Sequence, residues 1–350
     1  MRTKMLVATA AAAALTLTGC GNAPVASRSA GAAAIAGLGA EHVMVGMAFD
    51  VGGRGDKSFN DMAGAGLERA KKELEIDVTE TAPATGEDDV RLATLNKLVD
   101  SGNNPVFAVG FQYVNALKKA AAAHPETTFA IIDDDSIAAN NVVSLVFAEE
   151  QGSYLVGAAA ALKSHTGTVG FIGGVQIPLL QKFEAGFTAG AKRVNPKIKV
   201  QVKYLSAPPD FSGFGVPDKA KQIGAGMLDD GADVIYAAAG GSGAGALQAV
   251  AAADGAAFVG VDSDQYASAD AAVQPVVLTS MLKRVDNAVF QEIQAFVKGD
   301  HAGGVRRFDL KTDGVGYATS NQAEIAPLQS ELDSLRQQLY DGRIVAPTKP

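Results

Sequence analysis

The chain has no tryptophan, one cysteine and only four histidines in 350 residues. A single cysteine excludes a disulfide framework and any cysteine-rich zinc or iron–sulfur site. Three of the histidines read as solvated loop residues. His124 precedes Pro125 at a helix end, His165 falls in a helix-to-strand turn, and His301 follows Gly299-Asp300. The chain contains no G-x-S-x-G elbow, no H-E-x-x-H and no G-x-x-x-x-G-K-[ST], so nothing points to a hydrolase, a metalloprotease or a phosphate loop. Basic charge is short as well: the net charge of -8 argues against electrostatic nucleic-acid binding. What is abundant is glycine, 39 residues, with 47% hydrophobic residues overall. That composition suits a well-packed protein with many tight strand-to-helix turns. At ~150 residues per domain the length allows about two domains.

The N-terminus is not fold. Arg2 and Lys4 precede an apolar run from Met5 to Leu17, too short to span a bilayer as a helix. The run ends in Leu17-Thr18-Gly19-Cys20, which resembles the bacterial lipobox, where the cysteine receives lipid and the signal is removed before it. Residues 21–40 are rich in alanine, glycine and serine without apolar periodicity and read as a flexible tether. Residues 1–19 are thus expected to be a signal peptide and 20–40 a lipidated Cys20 with its tether. The protein is placed at the extracytoplasmic face of the cell membrane.

Beyond Glu41 short apolar runs alternate with helical patterns. The runs 43–49, 106–109, 128–132, 142–147, 168–172, 200–205, 234–239, 258–261 and 276–279 fit buried strands. Helical patterns lie near 58–75, 88–101, 112–123, 150–163, 179–194, 218–229, 244–253 and 283–298. Short buried runs separated by helices signal βαβ units and parallel sheets, and the length suits two of them. Acidic residues and glycines collect just after the runs: Asp50, Gly110, Asp133, Gly173, Gly240 and Asp262, with Ser280 and Lys283 after the last. Ligands of open α/β sheets sit beyond the carboxyl ends of strands, so a site built from both halves is expected there.

Three motifs invite other readings. Gly241-x-Gly243-x-x-Ala246, with Asp262 further on, meets a loose dinucleotide fingerprint, but a glycine-rich turn serving another ligand is the plainer reading. Asp133-Asp134-Asp135 lacks calcium-loop spacing and reads as a turn with a helix cap. Arg54-Gly55-Asp56 matches an adhesion tripeptide and reads as loop. Phe59 sits in the first turn of a helix, either as a staple under the loop or as an aromatic platform at a cleft mouth. Phe183 opens a second helix in a matching way. Phe187 suits that helix's buried face, which leaves Phe183 as the exposed ring.

Several stretches resemble the basic membrane protein family of bacterial lipoproteins, purine-nucleoside receptors of ABC importers. They are DVGGRGDKSFND (50–61), FAIIDD (129–134), VVSLVFAEEQGSYLVGAAAALKS (142–164), TVGFIGGVQIPLLQKFEAGFTAGAKRVNPKIKV (168–200), AAAGGSGAGALQAV (237–250), FVGVDSDQ (258–265) and LTSMLKRVDNAV (278–289). They follow the family's order and cover nearly the whole chain after the tether. The resemblance implies a type I periplasmic-binding-protein fold, two doubly wound parallel-sheet α/β lobes joined by three crossovers around a cleft. The first lobe is expected over 42–147 plus about 275–310, the second over 148–272 plus about 311–345.

The resemblance also implies the ligand site. Phe59 and Phe183 stand where two phenylalanines sandwich a purine base. Asp133 stands where an aspartate binds the base edge, and Asp262 and Lys283 where the ribose is held. Asp50, Asn60 and Gly240 lie in motifs lining the same cleft. The implied protein is a receptor without catalysis or cofactor, acting as a monomer that hands nucleosides to a permease and ATPase complex. Stacking tolerates any base, so selection falls to edge contacts. A carboxylate only accepts hydrogen bonds, which favours guanosine or inosine at Asp133. Several carboxylates against one lysine would repel a phosphate. The alternatives are a receptor for another small polar ligand, such as a sugar, and an extracellular nucleoside-processing enzyme.

Overall fold

The computed structural model describes residues 43–350, and the expected signal peptide, Cys20 and tether lie outside them. Twelve strands follow in chain order: β1 Met44–Ala48, β2 Asp77–Thr81, β3 Val106–Ala108, β4 Phe129–Ile132, β5 Val142–Phe147, β6 Thr168–Val175, β7 Lys199–Ser206, β8 Val234–Ala238, β9 Ala257–Asp262, β10 Val277–Lys283, β11 Gly304–Phe308 and β12 Val315–Tyr317. They form two six-stranded sheets, ordered β11-β5-β4-β3-β1-β2 and β12-β10-β9-β8-β6-β7. All pairings are parallel except that of β12 with β10. Central strands such as β3, β4, β8 and β9 are buried along their whole length. Helices on both faces explain why these strands are apolar throughout rather than alternating.

The chain passes between the sheets three times. β5 leads into the helix Glu149–Lys163, which packs on the second lobe's helix Pro178–Val194. β10 ends at Lys283, and the helix Val285–Val297 then returns to pack on Phe59–Leu74 in the first lobe. β11 lies in the first sheet and β12 in the second. The return to the first lobe therefore comes after Lys283, not at about residue 275. The run 277–283 is buried along most of its length and pairs with β9, which the lobe boundary drawn from sequence did not separate. Three strands escaped the sequence reading: β2, β11 and β12. Each closes a sheet edge, and β2 and β11 keep charged side chains half in solvent, so no apolar run marks them.

The second lobe is held at the crossover by a close helix pair. A Cβ on Gly157, Gly186 or Gly190 would lie 2.1, 2.2 and 1.9 Å from the carbonyl oxygens of Phe187, Glu150 and Tyr154. These glycines cost helix propensity, and the backbone contact they allow explains their presence. Gly186→Ala is expected to push Pro178–Val194 off Glu149–Lys163 and destabilise the fold by about 1–3 kcal/mol or more. Thermal unfolding checks this, and an unchanged melting temperature contradicts it.

Candidate functional site

The carboxyl ends of the strands from both sheets converge on one cavity of about 350 Å³, at the small end of the ~300–1,000 Å³ usual for small-molecule sites. All eight residues expected from sequence, Asp50, Phe59, Asn60, Asp133, Phe183, Gly240, Asp262 and Lys283, line it. Asp50 follows β1, Asp133 follows β4, Asp262 ends β9 and Lys283 ends β10. Gly240 opens a short turn after β8, in the left-handed region at φ +53°. Asp133 and Asp262 share that region at φ +73° and +64°. Left-handed backbone is uncommon outside glycine and tolerated best by short polar side chains. Its recurrence at both strand ends marks local strain at the cavity wall.

Phe59 opens the helix Phe59–Leu74 of the first lobe, and Phe183 lies on Pro178–Val194 of the second. Asp56 holds the first of these helices in place. Its carboxylate accepts from the backbone N–H groups of Ser58 at 2.9 Å, Asn60 at 2.8 Å and Asp61 at 3.1 Å. The tripeptide that includes it is thus committed to the loop fold, with Arg54 paired to Glu80. Phe59 is half-buried, whereas Phe183 is only 3% exposed, against the expectation of an exposed ring. Phe183 borders the cavity and faces the Lys283 ammonium at 5.6 Å, with Phe59 facing the same ammonium at 5.2 Å and Phe147 at 5.1 Å. Phe187 is the core residue of that helix, against Phe171 and Tyr236.

The floor between the rings is ionic. Lys283 Nζ lies 2.6 Å from the Asp133 carboxylate and 3.4 Å from Glu149 Oε1. Burial opposes the Lys283 charge, but Asp133, Glu149 and Asp262 together outweigh it and hold its pKa above the usual lysine value. Burial pushes the Asp133 carboxyl up, with Glu149 adding to this and Lys283 opposing it. Asp262 is raised to about 6, chiefly by burial, against the pull of Lys283 and of the Ser58 hydroxyl that donates to it at 2.5 Å. On the opposite wall Asp50 accepts from Arg91 Nη1 at 2.8 Å, and its own N–H donates to Asn60 Oδ1 at 3.1 Å. Arg91 is wholly buried over the Tyr113 ring.

Sequence reasoning missed Ser58, Glu149 and Arg91, which contact the cavity-lining Asp262, Lys283 and Asp50. Ser58 and Glu149 each stand at a helix start, a place that calls for no distant partner. Arg91 carries no local signal, because it reaches Asp50 across 41 positions of chain. The lobes also meet at the mouth, where Ser263 donates to the Lys57 carbonyl at 2.6 Å and Phe111 lies 6.0 Å from Phe211. Gly240 and Gly241 line the cavity under Phe214. Gly245, at an unspecified position of the loose fingerprint, abuts the Pro217 backbone. The run Asp133-Asp134-Asp135 makes a turn in which Asp134 accepts from Ser136, but no helix follows, so the expected cap is absent. Among the described residues no group of His, Cys, Asp and Glu could hold a metal ion, and no helix is long and apolar enough to cross a membrane.

Comparison with known proteins agrees with this architecture. A solute-binding protein of an ABC transporter system from Aeropyrum pernix K1 superposes with a TM-score of 0.73 at 30% identity, covering 87% of this chain and 94% of that one. The arabinose-binding protein AraP of Geobacillus stearothermophilus shares the fold at a TM-score of 0.59 and 14% identity, over 80% of this chain and 97% of its own. The two lobes are thus a type I periplasmic-binding-protein fold. In sequence, the CD4+ T-cell-stimulating antigen of Listeria monocytogenes is 34% identical over 87% of this chain and 88% of its own. The ABC transporter nucleoside-binding protein BmpA of Lactococcus lactis is 32% identical over 86% and 88%. The Bmp family, described as PnrA-like ABC transporter substrate-binding proteins, matches residues 43–349. The chain therefore belongs to the Bmp family and is a substrate-binding protein of an ABC transporter, not an enzyme.

Proposed function

We propose that the protein captures a purine nucleoside outside the cell, held to the membrane through lipidated Cys20, and delivers it to its permease. The observation that carries this reading is the pair of phenylalanines, one from each lobe, above an ionic floor of Asp133, Asp262 and Lys283. A purine offers two π-faces to the rings, worth ~1–3 kcal/mol per base. The ribose diol offers donors to Asp262, and the base edge offers donors to Asp133. The nucleoside-binding relative in Lactococcus lactis supports the same ligand class.

The cavity also supports a neutral ligand. Its two cationic lining side chains are already engaged, Lys283 by Asp133 and Glu149, and Arg54 by Glu80. Phosphate would meet Asp50, Asp56, Asp133 and Asp262 without a free cation among these lining residues. Calorimetry with inosine, guanosine, adenosine, inosine monophosphate and ribose tests the reading. Nucleosides are expected to bind, inosine or guanosine no weaker than adenosine, and the monophosphate far more weakly. Ribose binding tighter than any nucleoside would move the protein to the sugar receptors. Mass spectrometry of the membrane-extracted chain for a lipid on Cys20 tests the anchor.

Affinity should fall in acid. A ribose hydroxyl donates to ionised Asp262, so binding favours the deprotonated carboxylate, whose pKa stands at about 6. The affinity is therefore complete above that pH and lost as pH falls through it. One pKa unit is about 1.36 kcal/mol, so Kd at about pH 5 should be roughly tenfold higher than at about pH 7.5. A flat profile over that range contradicts the role of Asp262.

A further inference from the structure

The ionic floor of the cavity is built into the crossovers between the lobes. Glu149 is the first helical residue after β5, at the first crossover, and Lys283 is the last residue of β10, at the second. The two lie 3.4 Å apart, with side chains 1% and 2% exposed. Glu149 also accepts from Lys182 at 3.3 Å, the residue beside Phe183. The neighbouring Glu150 accepts at 2.8 Å from Arg307, which precedes the third crossover. Lys283 then reaches 2.6 Å to Asp133, in the first lobe. A hinge is made of element-terminal residues that absorb backbone change. Here such residues carry the charges of the cavity floor.

Glu149 does not line this cavity; it lines an adjoining one of about 450 Å³ that shares Phe111, Asp133 and Leu179 with it. Its Oε1 accepts no hydrogen bond and faces only the Lys283 ammonium. One buried ammonium is thereby shared between a carboxylate at the cavity and a carboxylate at the hinge. With Glu149 in place, Lys283 cannot spend its whole charge on Asp133, and Asp133 retains acceptor strength for a ligand. Any swing of the Glu149–Lys163 helix also moves the ammonium relative to Asp133.

We propose that Glu149 is a positioning residue that couples the cavity floor to the hinge, by holding Lys283 across two crossovers. The affinity part of this proposal rests on the reading that the cavity binds a nucleoside; the hinge part does not. Asp133 is faced by Lys283 from β10, by Glu149 and Lys182 from the two packed helices, and by Asp262 from β9. Removing the Glu149 charge takes away one repulsive neighbour and leaves Lys283 to Asp133.

Glu149→Gln in the full chain tests the coupling, with inosine as the probe. At neutral pH its Kd is expected to rise about tenfold or more. The part of the acid limb that Asp133 contributes should move to lower pH, which a merely structural residue would not cause. Glu149→Asp keeps the charge on a shorter stem, so its acid limb should stay at the wild-type position while its affinity falls less. It also keeps the test alive if the glutamine variant does not fold. Spin labels at Lys72 and Lys221, both exposed and one on each lobe, read the interlobe distance in a chain carrying Cys20→Ser. Without ligand, Glu149→Gln should change that distance distribution, and Glu149→Asp should change it less. Wild-type affinity, pH profile and distances in Glu149→Gln would overturn the proposal. If inosine fails to bind the unmodified protein, the ligand reading falls, and the ligand-free distances still decide the hinge coupling.

Discussion

Lys283→Met is expected to lower stability by about 3–5 kcal/mol, the cost of stripping a buried ion pair of one partner. The methionine fills nearly the same volume among Phe59, Phe147 and Phe183, so packing changes little. What changes is charge. Asp133 and Glu149 lose their shared cation, and both side chains are almost fully excluded from water. At ~2–4 °C per kcal/mol for larger domains, the melting temperature should fall by roughly 10 °C. The pH dependence gives the signature. The Asp133 pKa is raised by burial already, with Lys283 holding it back. Removing Lys283 raises it further. A carboxyl whose folded pKa lies above its unfolded value gives stability back as pH falls. The deficit of Lys283→Met should therefore shrink in mild acid. A deficit that grows there, or no deficit at neutral pH, contradicts the ionic floor.

Much of this molecule was readable because buried parallel strands are apolar on both faces. The runs at β3, β4, β8 and β9 stand out for that reason, and the residues after them mark the cavity without knowledge of the sheet order. Asp133 and Asp262 were visible by position alone. Their left-handed backbone was not, since aspartate adopts that region only where the surrounding turn imposes it. Edge strands were hidden because the property that makes an apolar run, burial of both faces, is absent at β2 and β11. The lobe boundary near residue 275 was misplaced for a related reason. An apolar strand announces burial but not which sheet buries it, and β10 pairs with β9 rather than returning. Glu149 shows the limit most clearly. Two glutamates at a helix start satisfy the helix dipole, so the local reading was complete without Lys283, 134 positions away. Arg91 was invisible on the same ground. Chemistry built from long-range pairs leaves little trace in spacing.

The same long-range geometry makes the phenylalanine pair the sharpest test of ligand class. Phe59→Ala is expected to raise the Kd for inosine by about tenfold to a hundredfold, corresponding to ~1–3 kcal/mol of stacking. Phe59 is half-buried, so the change should leave most of the fold's stability in place. Phe183 is different, because alanine at a buried phenylalanine costs about 3–5 kcal/mol through the cavity it leaves. Phe183→Leu keeps most of the volume and removes the flat face, so it separates stacking from packing. Each single change should weaken adenosine and guanosine by similar factors, since every base presents a π-face. The double variant should lose binding by at least a hundredfold, while ribose, which cannot stack, should be indifferent to both changes. The two rings come from different lobes and, on the proposed reading, meet one ligand. Their combined effect should therefore depart from the product of the single effects, because a base released on one face is held less well on the other. If both single variants retain wild-type affinity for every nucleoside, the rings serve only to shield the Lys283 ammonium. The ligand would then have to be sought among small polar molecules without an aromatic base.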